Sequence, residues 1–250
     1  MIINYNPEKK PRLLGVLGDL SQAKLSSSEI KYRKGVEIFG QAEPANYIYQ
    51  VIEGAVRTHK LLSDGRRQIG AFHLPGDIFG LENDVLHRFT AEAIVRTTVR
   101  LVKRESLERE AKSDPAIVRT LLSMTTDNLQ RVEDHLLLLG RQSASERVAA
   151  FLLEMNGRHP SGLMALPMCR RDVADYLGLT LETVSRVLSA YQRKGYVKTT
   201  GPMNRHVIVL DPAGLAELDR TNLLLHPRAA QPTRPLDQRL VHLPGEAIGS

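Results

Sequence analysis

The sequence predicts an α+β fold made of an N-terminal antiparallel β-roll, a long dimerisation helix and a C-terminal winged helix-turn-helix. Three observations carry it. Residues 36–107 fall into short alternating apolar runs separated by turn residues. Residues 116–139 place apolar side chains at alternating steps of four and three. Residues 167–210 hold two short amphipathic helices around a glycine turn, followed by two strands. The expected divisions are an arm at 1–30, the roll at 31–112, the dimerisation helix at 113–140, the winged helix-turn-helix at 141–225 and a flexible tail at 226–250.

Composition narrows the function. A chain of 250 residues, 42% hydrophobic and 25% charged, has length for two cores. No apolar run approaches the roughly 20 residues of a membrane span, so no membrane partner is expected. The opening MIINYNPEKKPRLLG has basic residues but no long apolar core after them, which is not a secretion signal, and a cytoplasmic location is expected. Lys and Arg number 34 against 28 Asp and Glu, a balance of +6 that suits a polyanionic partner. One cysteine excludes an internal disulfide framework and a four-thiolate metal site within one chain, and no cofactor is expected.

In chain order, residues 1–30 are polar, include Ser26-Ser27-Ser28, and read as a partly ordered arm with one helical segment. The runs YIYQVIEG, AVRTHKLL, SDGRRQIGAFHLPGDIFG and TAEAIVRTTVRLVKRESLE follow, with turns at Glu53-Gly54, Asp64-Gly65 and Pro75-Gly76-Asp77. His59, His73 and His87 raise a metal-dependent cupin-like enzyme as an alternative, against which stands the missing close His-x-His pair.

Ser113-Asp114-Pro115 supplies a cap and a first-turn proline for a helix over Ala116–Leu139. Val118, Leu122, Thr125, Leu129, Val132, Leu136 and Leu139 form a heptad seam for a homodimer, while Ile117, Leu121 and Met124 supply a second face to pack on the roll. Gly140-Arg141 interrupts the pattern, and Ser143–Asn156 reads as the next helix, burying Val148, Phe151, Leu152 and Met155.

The helix pair comes from Arg171–Leu177, a Gly178-Leu179-Thr180 turn, and Leu181–Lys194. Ala174 permits a close crossing, and Val184, Val187, Leu188 and Tyr191 share one face of the second helix. With Thr180 as N-cap, Glu182, Ser185 and Arg186 occupy the opposite face of its first turns, where a recognition helix meets base edges. Arg186 matches guanine O6 and N7, Glu182 matches cytosine N4, and Ser185 is an adaptable small partner. Tyr196–Thr199 and His206–Leu210, joined through Gly201-Pro202, make the wing. Arg170, Arg171, Thr180, Thr183 and Lys198 are the expected DNA-backbone contacts. Cys169 lies at the start of the first helix, where amide dipoles and adjacent arginines favour thiolate and hence oxidation. The tail HPRAAQPTRPLDQRLVHLPGEAIGS has four prolines and no sustained period.

GLTLETVSRVLSAYQRKGYV resembles the recognition segment of the CRP/FNR family of transcription regulators, and LPMCRRDVADYLGLTLETVSR is most similar to its FixK-like branch of rhizobial nitrogen-fixation and microaerobic regulators. The resemblance spans roughly residues 30–220. It implies a cyclic-nucleotide-binding-like roll, including the PGDIFG turn, and a Glu-x-x-Ser-Arg triplet that reads a TTGA-type half-site within a TTGAT…ATCAA-like palindrome. It implies recruitment of RNA polymerase through exposed patches, among them the loop Gly80, Leu81, Glu82, Asn83 and Asp84, and inactivation by oxidation of Cys169. Cyclic-AMP-binding relatives hold the phosphate with an Arg-Ser pair; His87 and Arg88 stand in those places here, so an activator without a small-molecule effector is expected, with a cyclic-nucleotide-gated factor as the alternative. The iron–sulfur cluster of FNR itself has no counterpart, because no cysteine precedes Cys169.

Overall fold

Alternation along the N-terminal half produces eight strands: β1 (Ser27–Tyr32), β2 (Glu37–Phe39), β3 (Tyr47–Glu53), β4 (Val56–Leu61), β5 (Arg67–His73), β6 (Ile78–Phe79), β7 (Thr90–Ala93) and β8 (Thr97–Lys103). In the computed structural model, which describes residues 27–82, 85–141, 143–158, 166–200 and 206–218, they form two antiparallel sheets of order β1-β8-β3-β6 and β2-β7-β4-β5. Inward side chains of both sheets, Phe39, Tyr49, Val51, Val56, Phe79, Ala91 and Val99, close the roll's core. The β3–β4 turn depends on Gly54: at φ +90° it takes a backbone that L side chains avoid, and a Cβ there would run into the Arg96 carbonyl and Thr97. The roll begins earlier than expected, since β1 takes Ser27 and Ser28 from the segment read as an arm and pairs them with Val102 and Leu101.

The last alternating run ends sooner than expected. RESLEREA forms helix α1 (Arg104–Ala111), which buries Leu107 alone. Helix α2 (Pro115–Leu139) follows, with Asp114 accepting from Ala116 N at 2.8 Å and Pro115 in the first turn. Its inner residues Ile117, Leu121 and Met124 pack on Ile48, Ile78, Val102 and Leu107 as expected. On its outer side Val118, Leu122, Leu129, Val132 and Leu136 are each at least half exposed, and Thr125 is exposed among them. Leu139 differs: it is half-buried, with a methyl turned toward Gly178.

Helix α3 (Ala144–Gly157) starts with a capping box in which Ser143 Oγ accepts from Glu146 N at 3.1 Å and Glu146 Oε2 accepts from Ser143 N at 3.2 Å. Helices α4 (Arg170–Leu177) and α5 (Leu181–Arg193), strands β9 (Val197–Thr200) and β10 (His206–Val209) and helix α6 (Pro212–Leu218) complete the fold. The Gly201-Pro202 joint of the wing, the arm before Ser27 and the tail lie outside the described residues. One apolar cluster runs from Ala55, Ile69, Phe72 and Ile94 of the roll into Phe151, Tyr176, Leu177 and Leu188 of the C-terminal helices. The helix pair is therefore packed on the roll rather than tethered to it.

Candidate nucleic-acid interface

Helix α4 stops because Gly178 takes the left-handed conformation at φ +63°. Leu179 N then donates to Ala174 O at 3.0 Å, and the buried Ala174 leaves room for the crossing. Thr180 caps α5, its Oγ1 accepting from Thr183 N at 3.2 Å. Val184, Leu188 and Tyr191 are buried, and Tyr191 OH donates to Ser145 O at 2.6 Å, fixing α5 on α3; Val187 is half-buried beside them. This rotation turns Glu182 and Arg186 fully outward and leaves Ser185 half-exposed between them. The Glu182 carboxyl is held below the usual carboxylate range by its own backbone N–H and by the Thr180 hydroxyl, so the side chain presents an ionised acceptor. Arg186 Nη2 lies 3.4 Å from Thr183 Oγ1, leaving the rest of the guanidinium free to fork.

Around this face, Arg171 is exposed and stands 3.7 Å from Asp175, Lys198 is exposed on β9, and Thr183 is half-exposed. Arg170 is more buried, and its Nε has no hydrogen-bond partner among the described residues. An α5 of 13 residues thus carries an outward acid–hydroxyl–guanidinium face, with the exposed Lys198 on the neighbouring β9.

Residues 146–218 match the Crp-like helix-turn-helix domain and residues 29–114 the cyclic nucleotide-binding domain. Over 195 residues the chain is 43% identical to the nitrogen fixation regulation protein FixK of Azorhizobium caulinodans, covering 75% of this chain and 77% of that one. The chain belongs to the CRP/FNR family of transcription regulators. FixK of Bradyrhizobium diazoefficiens is 37% identical over 217 residues, covering 83% of this chain and 90% of its own. The solved structure of FixK2 from Bradyrhizobium japonicum superposes with a TM-score of 0.74 at 57% identity, covering 78% of this chain and 98% of that one. The fold and the FixK-like resemblance read from the sequence are those of the chain. Among the described residues, no helix is long and apolar enough to cross a membrane.

A cavity of about 340 Å³ lies between β4, β5, the β6 end and α2. Phe89 and Glu82 line it, and Arg88 sits at its exposed rim. His87, expected where a phosphate-holding arginine would stand, is instead turned into the core, stacked on Phe39 at 3.5 Å, with Nδ1 3.2 Å from Glu82 Oε2. His73, which also lines the cavity, is pushed down to about 4 by burial and is neutral at physiological pH. His59 lies apart on β4, and among the described residues no cluster of three His, Cys, Asp or Glu is placed to hold a metal.

Two expectations are corrected here. Gly80, Leu81 and Glu82 are not an exposed patch. Gly80 is buried at φ +77° against Tyr49, Leu81 packs on the cluster under α2, and Glu82 turns to His87, while Arg104 Nη2 donates to Gly80 O at 2.9 Å. Asn83 and Asp84 lie outside the described residues. Cys169 stands at the start of α4 as expected and is exposed, but the side chain its sulfur meets is an acid and not an arginine: Sγ donates to Asp172 Oδ2 at 3.2 Å, and the same oxygen accepts from Cys169 N at 3.1 Å. Sequence reasoning missed the partners of that acid. Asp172 Oδ1 accepts from Arg57 at 2.6 Å and Arg67 at 2.7 Å, both on the roll.

Proposed function

We propose that this regulator is a homodimeric activator that reads a TTGAT…ATCAA-like palindrome through Glu182, Ser185 and Arg186, in the cytoplasm and without a small-molecule effector. The observation that carries the reading is the outward face of α5, where an ionised acid, a hydroxyl and a guanidinium stand free of the core while the opposite face is fixed to α3. The proposed division is arm, roll, dimerisation helix, winged helix-turn-helix and tail. Arg170, Arg171, Thr180, Thr183 and Lys198 position the duplex through its phosphates. The seam is Val118, Leu122, Thr125, Leu129, Val132 and Leu136, an apolar stripe without a partner in one chain, with Leu139 at its end. The cavity's acid and aromatic lining, with its one arginine at the exposed rim, supports effector-free action, since a cyclic phosphate calls for a fixed cation. Polymerase contact is assigned to Asn83 and Asp84, with Gly80, Leu81 and Glu82 withdrawn from it by their packing. Oxidation of Cys169 to a sulfinic or sulfonic acid sets a negative group at the start of α4, against Asp172 and the incoming phosphate, and so abolishes binding.

Base substitution tests the reading. Arg186→Ala is expected to cost on the order of 1–3 kcal/mol on the box and to relax discrimination at one guanine. Wild-type selectivity between the box and a scrambled duplex in that variant would overturn the groove assignment.

A further inference from the structure

We propose that Arg57 and Arg67 of the β-roll are positioning residues for the recognition helix, and that they set the spacing between half-sites that the dimer accepts. Resting on the reading above, the proposal adds residues 105 to 115 positions away from the acid they hold.

The tie is built from rigid parts. Arg57 stands on β4 with its Nη2 donating to both Glu92 oxygens, at 2.7 and 2.8 Å, so the guanidinium is fixed to β7 across the sheet. Its Nη1 donates to Asp172 Oδ1 at 2.6 Å. Arg67, at the start of β5, reaches the same oxygen at 2.7 Å and Asp175 Oδ2 at 2.9 Å through Nε. The Asp172 side chain is 4% exposed and that of Arg57 13%, so water screens this pair little. Asp172 is also the third residue of α4 and holds Cys169 N–H, which makes it part of the helix start. Two forked cations on one sheet thus grip one helix at Asp172 near its N-terminus and again at Asp175, the sixth of its eight residues. Helix α5 follows α4 through the Gly178 turn and the Leu179–Ala174 hydrogen bond.

A second tie lies at the other end of the same interface. Asp77 of the roll pairs with Arg158 after α3 and with Arg131 of α2 at 3.0 Å. With that tie intact, loss of the first does not release the domain; it frees α3, α4 and α5, held together by the Tyr191–Ser145 bond, to pivot about Asp77. In a two-fold dimer the tilt of each recognition helix fixes which half-site separation both can meet at once. One inserted base pair moves a half-site by about 3.4 Å and turns it by about 34°. A gripped helix pair refuses that displacement. A pivoting one accommodates it.

The test uses the full-length protein and three duplexes: the TTGAT…ATCAA box, the same box with one base pair inserted at its centre, and a scrambled sequence. Wild type is compared with Arg57→Gln/Arg67→Gln and with the milder Asp175→Asn, which keeps the buried oxygen pair, each checked for dimer by sedimentation. The expected result is that the preference for the box over the inserted box falls on the order of tenfold in the double variant and less in Asp175→Asn, with both still preferring either box to the scrambled duplex. Equal weakening on all three duplexes, or an unchanged preference for the correct spacing, would overturn the proposal and leave the base-reading assignment standing. A wild type that does not separate the box from the scrambled duplex would overturn the base-reading assignment and this proposal with it. If the double variant does not fold, an Asp175→Asn protein with wild-type spacing preference overturns the proposal by itself.

Discussion

Glutamate in place of Leu129 addresses assembly directly. Leu129 is 56% exposed in one chain, and with Val118, Leu122, Val132 and Leu136 it forms the outer stripe of α2. Burying the exposed half of such a side chain contributes about 1 kcal/mol, so five positions on each of two helices supply roughly 10 kcal/mol of gross stabilisation before the cost of association. Leu129→Glu removes about 1 kcal/mol per protomer and places a carboxylate opposite its own copy, where a desolvated unpaired charge costs about 3–5 kcal/mol. Together these come to about 5–7 kcal/mol, so dimer affinity is expected to fall on the order of 10,000-fold or more. Sedimentation velocity over a concentration series reads this, with Asp127→Lys, an exposed change away from the stripe, as the control. DNA binding should fall with the dimer, because one half-site supplies too little affinity. A Leu129→Glu protein that sediments as the wild-type dimer would refute the seam.

Lys198→Ala on β9 is expected to weaken all sequences about equally and to reduce the salt slope of binding by about one unit, as a phosphate contact does and a base contact does not. Peroxide is expected to abolish DNA binding of the wild type while sedimentation stays that of a dimer, and to leave Cys169→Ser binding unchanged; equal loss in both would place the damage at other residues. His73 is expected to make stability depend on pH. Its folded value near 4 lies below its unfolded 6.5, so the unfolded chain binds the extra proton in that window. The contribution is present above about pH 6.5 and is lost as pH falls toward 4, up to about 3 kcal/mol, with His59 and His135 acting in the same sense and the raised carboxyl of Glu154 opposing them. Thermal unfolding of wild type and His73→Gln between pH 7.5 and pH 4.5 checks this, and equal slopes would remove His73 as the source.

Local chemistry made much of the interface legible. Thr180, Gly178 and Ala174 each do in the structure what their residue types dictate, and the spacing of Val184, Leu188 and Tyr191 gave the phase of α5 and so the outward face. The helix read over Ser143–Asn156 holds as well, with the Ser143–Glu146 box at its start a feature that only the structure showed. Where the reading fell short, the cause is distance along the chain. Asp172 looks like an ordinary first-turn acid, and no local pattern points to Arg57 and Arg67. His87 reads as a stand-in for a phosphate-holding arginine and Glu82 as part of an exposed patch, yet His87 stacks on Phe39 and Glu82 turns to it. Helix α1 was hidden because one buried leucine among eight residues leaves no period to detect.

The central claim is that this chain binds a two-fold DNA site by itself. A fluorescence-anisotropy titration of purified protein, free of added nucleotide, on the TTGAT…ATCAA duplex and on its scrambled counterpart at about 150 mM salt tests it most directly. The expected result is a preference of about 1000-fold or more for the box, unchanged by added cyclic AMP. Equal binding to both duplexes, or selectivity that arises only when cyclic AMP is present, would contradict it.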